Sequence, residues 1–342
     1  MNKNGVERNW QKIYKIIHLI FSYMEYFLIR RPFGVELEVS NLGIINNEYF
    51  EVKIDYLKRV VSRATKREVV AINDWSQTVD NDYWHVKYDA TCGELGKGPS
   101  YPRGWEIASF KASGYNDLLH IAAMADALAS CGLKVNDHCG LHIHGDISDF
   151  EIEQAAVLAA RWIKLEQWMK QAVPKSRKAN KYCKLLNNKK KYNLDYSYTP
   201  NQFWKLFKPT NLSLHENTQK KVTLNFVNYA AYKKYLHSGA LYYRPTIELR
   251  LPEGTLNSFE IINWVEFFLF FIETSKNALM PMNIIPETNL RIVLDYLGLN
   301  ISGVEKDVRN WLFGRICKYG QLAYIKKIKE FWSMELEEEL DV

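Results

Sequence analysis

Three histidines, a cysteine and two aspartates crowd into DHCGLHIHGD, residues 137–146. His142 and His144 are two apart, the spacing that puts both imidazoles on one face of a strand, with Leu141 and Ile143 on the other. Three further stretches repeat this arrangement with different chemistry. In PFGVELEVS, Glu36 and Glu38 alternate with Val35, Leu37 and Val39. In WEIASF, Glu106 lies opposite Trp105 and Ile107. In RPTIELRLPEGT, Thr246, Glu248 and Arg250 share one face, and Ile247, Leu249 and Leu251 the other. Asp89 ends the alternating segment YWHVKYDA, and Asn225 shares a face with Thr223 in KKVTLNFVNY.

If these strands lie in one sheet, its polar face carries carboxylates, imidazoles and a guanidinium. Carboxylates held that close repel one another and lose hydration, so each must protonate or find a counter-charge. A divalent cation is the natural compensation. Oxygen ligands suit Mg²⁺ or Mn²⁺, and an imidazole pulls the preference toward Mn²⁺. Each motif alone has a plainer reading: a solvated strand face, hydrogen-bonded histidines, a cross-strand ion pair. Their joint occurrence, in this order, favours a site.

The elements that must position these residues follow from periodicity and capping. Residues 50–71 read as an amphipathic helix followed by a short Val/Ile run. YNDLLHIAAMADALASCG is a helix with Leu118, Ile121, Ala122, Ala125 and Leu128 on its buried stripe, capped by Asn116 or Asp117 and ended by Gly132. Ser148 and Glu151 form an S-x-x-E capping box that predicts a helix running to about Pro174. KKVTLNFVNY predicts a strand, and Asn257 with Glu260 starts a helix that ends near Pro281. Residues 14–29 have helical apolar spacing and predict an N-terminal amphipathic helix. Lysines and tyrosines crowd residues 175–221, which predicts a basic insertion or lid, and residues 282–342 read as helices.

Composition sets the frame. The chain has 342 residues, 47% hydrophobic and 25% charged, enough to bury a sizeable core. A formal charge of +6 is mild for this length and does not by itself argue for nucleic acid. The five cysteines are scattered, odd in number and without a CxxC pair, which points to a reducing compartment and a cytoplasmic protein. No secretory signal is visible, and the early apolar stretch is short for a membrane span.

FGVELE, the Trp84 to Asp89 segment, GWEIASF, CGLHIHGD, PKSRKANKYC, VTLNFVNY and TIELRLPEGTLN together resemble the amidoligase family. That family belongs to the carboxylate–amine ligases related to glutamine synthetase and glutamate–cysteine ligase. The resemblance covers about residues 31–275. It implies an α+β fold, a curved and mostly antiparallel sheet of the glutamine synthetase/glutamate–cysteine ligase type, with helices on its convex face. Its concave face would hold ATP and two or three Mg²⁺ or Mn²⁺ ions. The chain then divides into an N-terminal helix within residues 1–30, a catalytic domain over 31–280 and a C-terminal helical extension over 281–342.

Matched by motif, Glu38 and Glu106 correspond to ligands of the metal beside the substrates. Glu36, His142 and Glu248 correspond to ligands of the metal that bridges the ATP phosphates. Arg250 corresponds to the arginine that steadies the transferring phosphoryl group, so the resemblance assigns catalysis to Arg250, Glu248 and Glu106. Asp89, His144, Arg177 and Asn225 are carried as nucleotide or substrate contacts. Between the E-x-E and H-x-H motifs Asp89, Glu94 and Glu106 could each supply an acid, and only Glu106 has a strand-like context. The implied reaction is ATP-dependent amide formation through an acyl phosphate, joining a carboxylate, such as a glutamyl or peptide one, to an amine.

Two rivals make different demands. A zinc hydrolase would use His142 and His144 with Asp137, Cys139 or Asp146, although HExxH and similar motifs are absent. A non-catalytic relative that binds nucleic acid or protein would use the lysine run and Tyr182, Tyr192, Tyr196 and Tyr198.

Overall fold

The computed structural model describes residues 30–40, 50–72, 82–89, 92, 104–186, 221–235, 244–300 and 304–340. The helix expected at 14–29, Glu94 and most of the basic 175–221 segment lie outside the described residues.

Alternating Val, Leu and Ile with polar residues produce a seven-stranded sheet, as period-2 patterning requires. Its strands are β1 (Phe33–Val39), β2 (Val69–Ile72), β3 (Trp84–Asp89), β4 (Gly104–Ala108), β5 (Leu141–Asp146), β6 (Leu224–Asn225) and β7 (Thr246–Leu249). They are ordered β2-β3-β4-β1-β5-β7-β6. Only β2 and β3 pair in parallel; every other neighbouring pair is antiparallel. The α+β class and the mostly antiparallel sheet expected from the sequence are therefore present.

One face of the sheet is apolar and fully covered. Val35, Leu37, Val39, Val86, Trp105, Ile107, Leu141, Ile143, Ile247 and Leu249 are all buried. Helices α1 (Phe50–Thr65), α2 (Gly114–Ser130), α3 (Ile152–Met169), α4 (Lys175–Lys178), α5 (Val227–Tyr235) and α6 (Ser258–Lys276) belong to the same body. The phenylalanine-rich α6 packs against α2, α3 and β5. At Gly145 an added Cβ would stand 2.3 Å from Ile272 Cδ1, so only glycine lets α6 lie this close to β5.

Helices α7 (Leu290–Leu297), α8 (Val304–Tyr319) and α9 (Leu322–Leu340) follow. Buried Arg315 of α8 donates to Ala172 O at 2.8 Å and pairs with Glu253 and Glu260. Trp311 stacks edge-on against Trp264 of α6, with ring centroids 4.9 Å apart. Among the described residues no helix is long and apolar enough to cross a membrane.

Several local expectations are corrected. The Ser148–Glu151 box does not form. Ser148 N–H is taken by Asp146 Oδ1 at 2.8 Å in a turn, and the helix starts three residues later with Glu151 as N-cap and Gln154 reciprocating. That helix ends at Met169, and a 3₁₀ turn over Lys170–Ala172 carries the chain on. Helix α2 is preceded by Ser113, whose N–H donates to Asp117 Oδ2 at 2.9 Å, so Asp117 acts from inside the first turn rather than as the N-cap. VTLNFVNY is a strand for two residues only. Asn225 Oδ1 accepts the Val227 N–H at 2.9 Å, which caps α5 and ends the edge strand.

Candidate active site

The second face of the same sheet is charged. Strand pairing sets Glu36 opposite His142 and Glu38 opposite Glu106 on the two sides of β1. It sets His144 opposite Glu248, Glu248 opposite Asn225, and Lys87 opposite Glu106. Seven side chains singled out from the sequence thus meet across four neighbouring strands and the Arg250 position that follows β7: Glu36, Glu38, Glu106, His142, His144, Glu248 and Arg250.

His142 is nearly buried and lies among three carboxylates. Its Nδ1 is 3.3 Å from Glu36 Oε2 and 3.6 Å from Glu248 Oε1, and its Nε2 is 3.6 Å from Glu38 Oε1. His144 Nε2 is 3.1 Å from Glu36 Oε1. Arg250 Nη1 contacts Glu248 Oε1, and Asn225 Nδ2 donates to Glu248 Oε2 at 2.8 Å. Gly140 N–H donates to Glu38 Oε2 at 2.5 Å. A Cβ at Gly140 would fall 2.8 Å from His142 Nε2, so the glycine keeps the histidine edge open.

The electrostatics follow from this packing. Burial alone would raise Glu36, but His144, Lys87 and His142 outweigh it and hold the carboxyl well below its usual range. Burial likewise opposes ionisation of Glu248, and Arg250, His144 and His142 bring it down. Burial disfavours a charged His144, yet Glu36 raises it. Burial and neighbouring Glu36 push Glu106 toward protonation, and the Lys87 ammonium opposes them at 2.5 Å.

Among the described residues, two groups of donors could each surround a cation. Ligand atoms of Glu36, His144 and Glu248 lie within 4.8 Å of one another, and so do those of Glu38, Asp89 and Cys92. The oxygen-rich first group fits Mg²⁺ or Mn²⁺. It contains His144, and His142 Nδ1 is 3.3 Å and 3.6 Å from the same two carboxylates. Neither group joins both histidines, which the zinc reading requires. Asp146 is instead paired with Lys111 at 2.9 Å.

Arg177 differs most from its expected surroundings. The turn that follows Pro174 carries it inward, and its guanidinium donates to Leu251 O at 3.2 Å and to Arg250 O. It is buried and braces the backbone at Arg250 and Leu251.

Sequence reasoning passed over Lys87 and His85, although WHVKYD alternation places both on the face of Asp89. It also passed over a pocket beyond His144. Gly34, His85, Ser109, Lys111, Asp146 and Arg244 are among its lining residues. No local motif marks it, because its walls come from five separate segments.

A family model described as "Putative amidoligase enzyme" matches residues 30–272. The chain belongs to the amidoligase family. No curated protein matches it. Among solved structures it is similar to a novel glutamine synthase homologue, with 12% identity, 88% of this chain and 67% of that one covered, and a TM-score of 0.35. Apo GmaS without ligand gives 12%, 90% and 70%, and 0.30. The complex of prokaryotic ubiquitin-like protein Pup with its ligase PafA gives 12%, 85% and 57%, and 0.26.

Proposed function

We propose that this amidoligase-family chain is an ATP-dependent carboxylate–amine ligase working through an acyl phosphate. The observation that carries the reading is the single charged sheet face, with Glu36, His144 and Glu248 close enough to share a cation and Arg250 against Glu248. Glu36, Glu38, His142, His144 and Glu248 would hold Mg²⁺ or Mn²⁺. Such an ion, when bound, neutralises phosphate charge and polarises the phosphoryl group.

A carboxylate is a poor electrophile, so an amine does not displace its oxygen directly. The substrate carboxylate attacks the γ-phosphorus of ATP, giving ADP and an acyl phosphate. The amine then attacks the acyl carbon, inorganic phosphate leaves, and the nitrogen gives up a proton. Arg250 presents planar guanidinium donors to the moving phosphoryl oxygens. Glu248 orients that guanidinium, and Asn225 fixes Glu248. The pocket beyond His144, with Lys111 and Arg244 at its walls, offers room and positive charge for the nucleotide.

The test is ADP release from Mg²⁺–ATP by the purified protein, with panels of amino acids and carboxylate-bearing peptides as acids and amines. Arg250→Ala and Glu248→Gln should each lower turnover by about two to three orders of magnitude while the fold persists. Near wild-type turnover in either variant overturns the assignment.

A further inference from the structure

The charged face does not neutralise its acids evenly. Glu36 and Glu248 meet imidazoles and the Arg250 guanidinium. Glu106 meets an ammonium. Lys87 stands opposite it in the β3–β4 register, with Nζ 2.5 Å from Glu106 Oε1. The lysine side chain is 18% exposed and that of Glu106 only 6%, so the contact is largely withdrawn from water. A carboxylate in such a place requires a close counter-charge, and a lysine on the neighbouring strand supplies one without any ion from solution.

Charge accounting sharpens the point. Glu36, Glu38, Asp89, Glu106 and Glu248 face Lys87 and Arg250 as the fixed cations, with Arg244 also acting on Glu36. With Lys87 against Glu106, the acids left for divalent ions are Glu36, Glu38, Asp89 and Glu248, the last also in contact with Arg250. Glu36 belongs to the donor group with His144 and Glu248, and Glu38 and Asp89 to the group with Cys92. Glu106 belongs to neither.

We infer that Lys87 is the resident cation of the Glu106 side, so that Glu106 is neutralised by an ammonium and withdrawn from the divalent-metal ligands. The motif-based role of Glu106 as a metal ligand then passes to charge balance with Lys87. This inference rests on the ligase reading in one respect: it takes divalent ions to bind elsewhere on the same face.

The test counts Mn²⁺ bound per chain, by electron spin resonance of free Mn²⁺, in four folded proteins: wild type, Glu106→Gln, Lys87→Met and the double variant. Wild type and Glu106→Gln should bind the same number of ions. Lys87→Met should bind one more, or bind its last ion at least about tenfold more tightly. Adding Glu106→Gln should cancel that gain. Loss of an ion in Glu106→Gln alone, or no gain in Lys87→Met, overturns the inference and leaves the ligase reading standing. Binding of no Mn²⁺ by any of the folded proteins overturns both. Should Lys87→Met fail to fold, wild type against Glu106→Gln decides the matter.

Discussion

The two faces of the sheet are made by the same strands and obey opposite rules. On one, Val35, Leu37, Ile143 and Ile247 are buried under helices and their chemistry is interchangeable within limits of volume. On the other, residues one position away, Glu36, Glu38, His142 and Glu248, are also largely out of water yet carry charge. Burial of apolar groups stabilises the fold, whereas burial of acids costs stability and is retained for chemistry. Alternation along each strand keeps the two demands apart.

Substitutions should separate the faces, the largest effect coming from the apolar one. Leu37→Asp should prevent folding, and Leu37→Ala should cost about 3 kcal/mol in denaturant unfolding. Charged-face changes such as Glu248→Gln, which takes a partner from Arg250, should lower the unfolding midpoint less than Leu37→Ala does while turnover collapses. A Glu248→Gln protein that unfolds like Leu37→Ala would erase the distinction.

Arg177 tests the boundary between the faces. Arg177→Ala leaves two buried carbonyls without donors and should cost about 1–3 kcal/mol in stability. It should also lower ADP formation through Arg250, with Arg177→Lys recovering part of both. Unchanged unfolding would remove its bracing role.

Glu266 of α6 offers a smaller contrast. Burial and nearby Asp307 push its carboxyl up to about 8, where Glu36 and Glu248, with cationic neighbours, are lowered. A raised folded value means the native state holds the proton longer, so stability falls as pH rises from the unfolded value, near 4.5, through about 8. Glu266→Gln should therefore raise the melting temperature at pH 8–9 and change it little at pH 4; equal curves at both would contradict the burial argument.

The smallest effect belongs to Asp149, at the sheet's outer margin. Burial opposes its charge, but Arg31 and Lys276 outweigh it and lower the carboxyl to about 2. Its contribution is present above the unfolded value, near 3.8, and is lost as pH falls through about 2. Asp149→Asn should flatten the loss of melting temperature between pH 5 and pH 2.

Much of this was legible in the sequence because period 2 is a rigid rule. It placed Glu36 with Glu38 and His142 with His144 on shared faces, and the β1–β5 register then joined them. What it could not supply was distance between strands. Both His142 and His144 come close to Glu36 and Glu248, and which of them would share an ion with these acids is a matter of rotamer and register. Arg177 sits in a lysine-rich run whose composition suggests solvent, and only the turn that follows Pro174 carries it inward. Lys87 was hidden for a different reason: a lysine on a strand is ordinary until its partner across the ladder is known to be Glu106.

The most direct test of the central claim is calorimetric binding of a non-hydrolysable ATP analogue to the wild type and to Glu248→Gln, with and without Mg²⁺. The account predicts binding that requires Mg²⁺ and that Glu248→Gln weakens. A folded wild-type protein that does not bind the analogue at any Mg²⁺ concentration would contradict it.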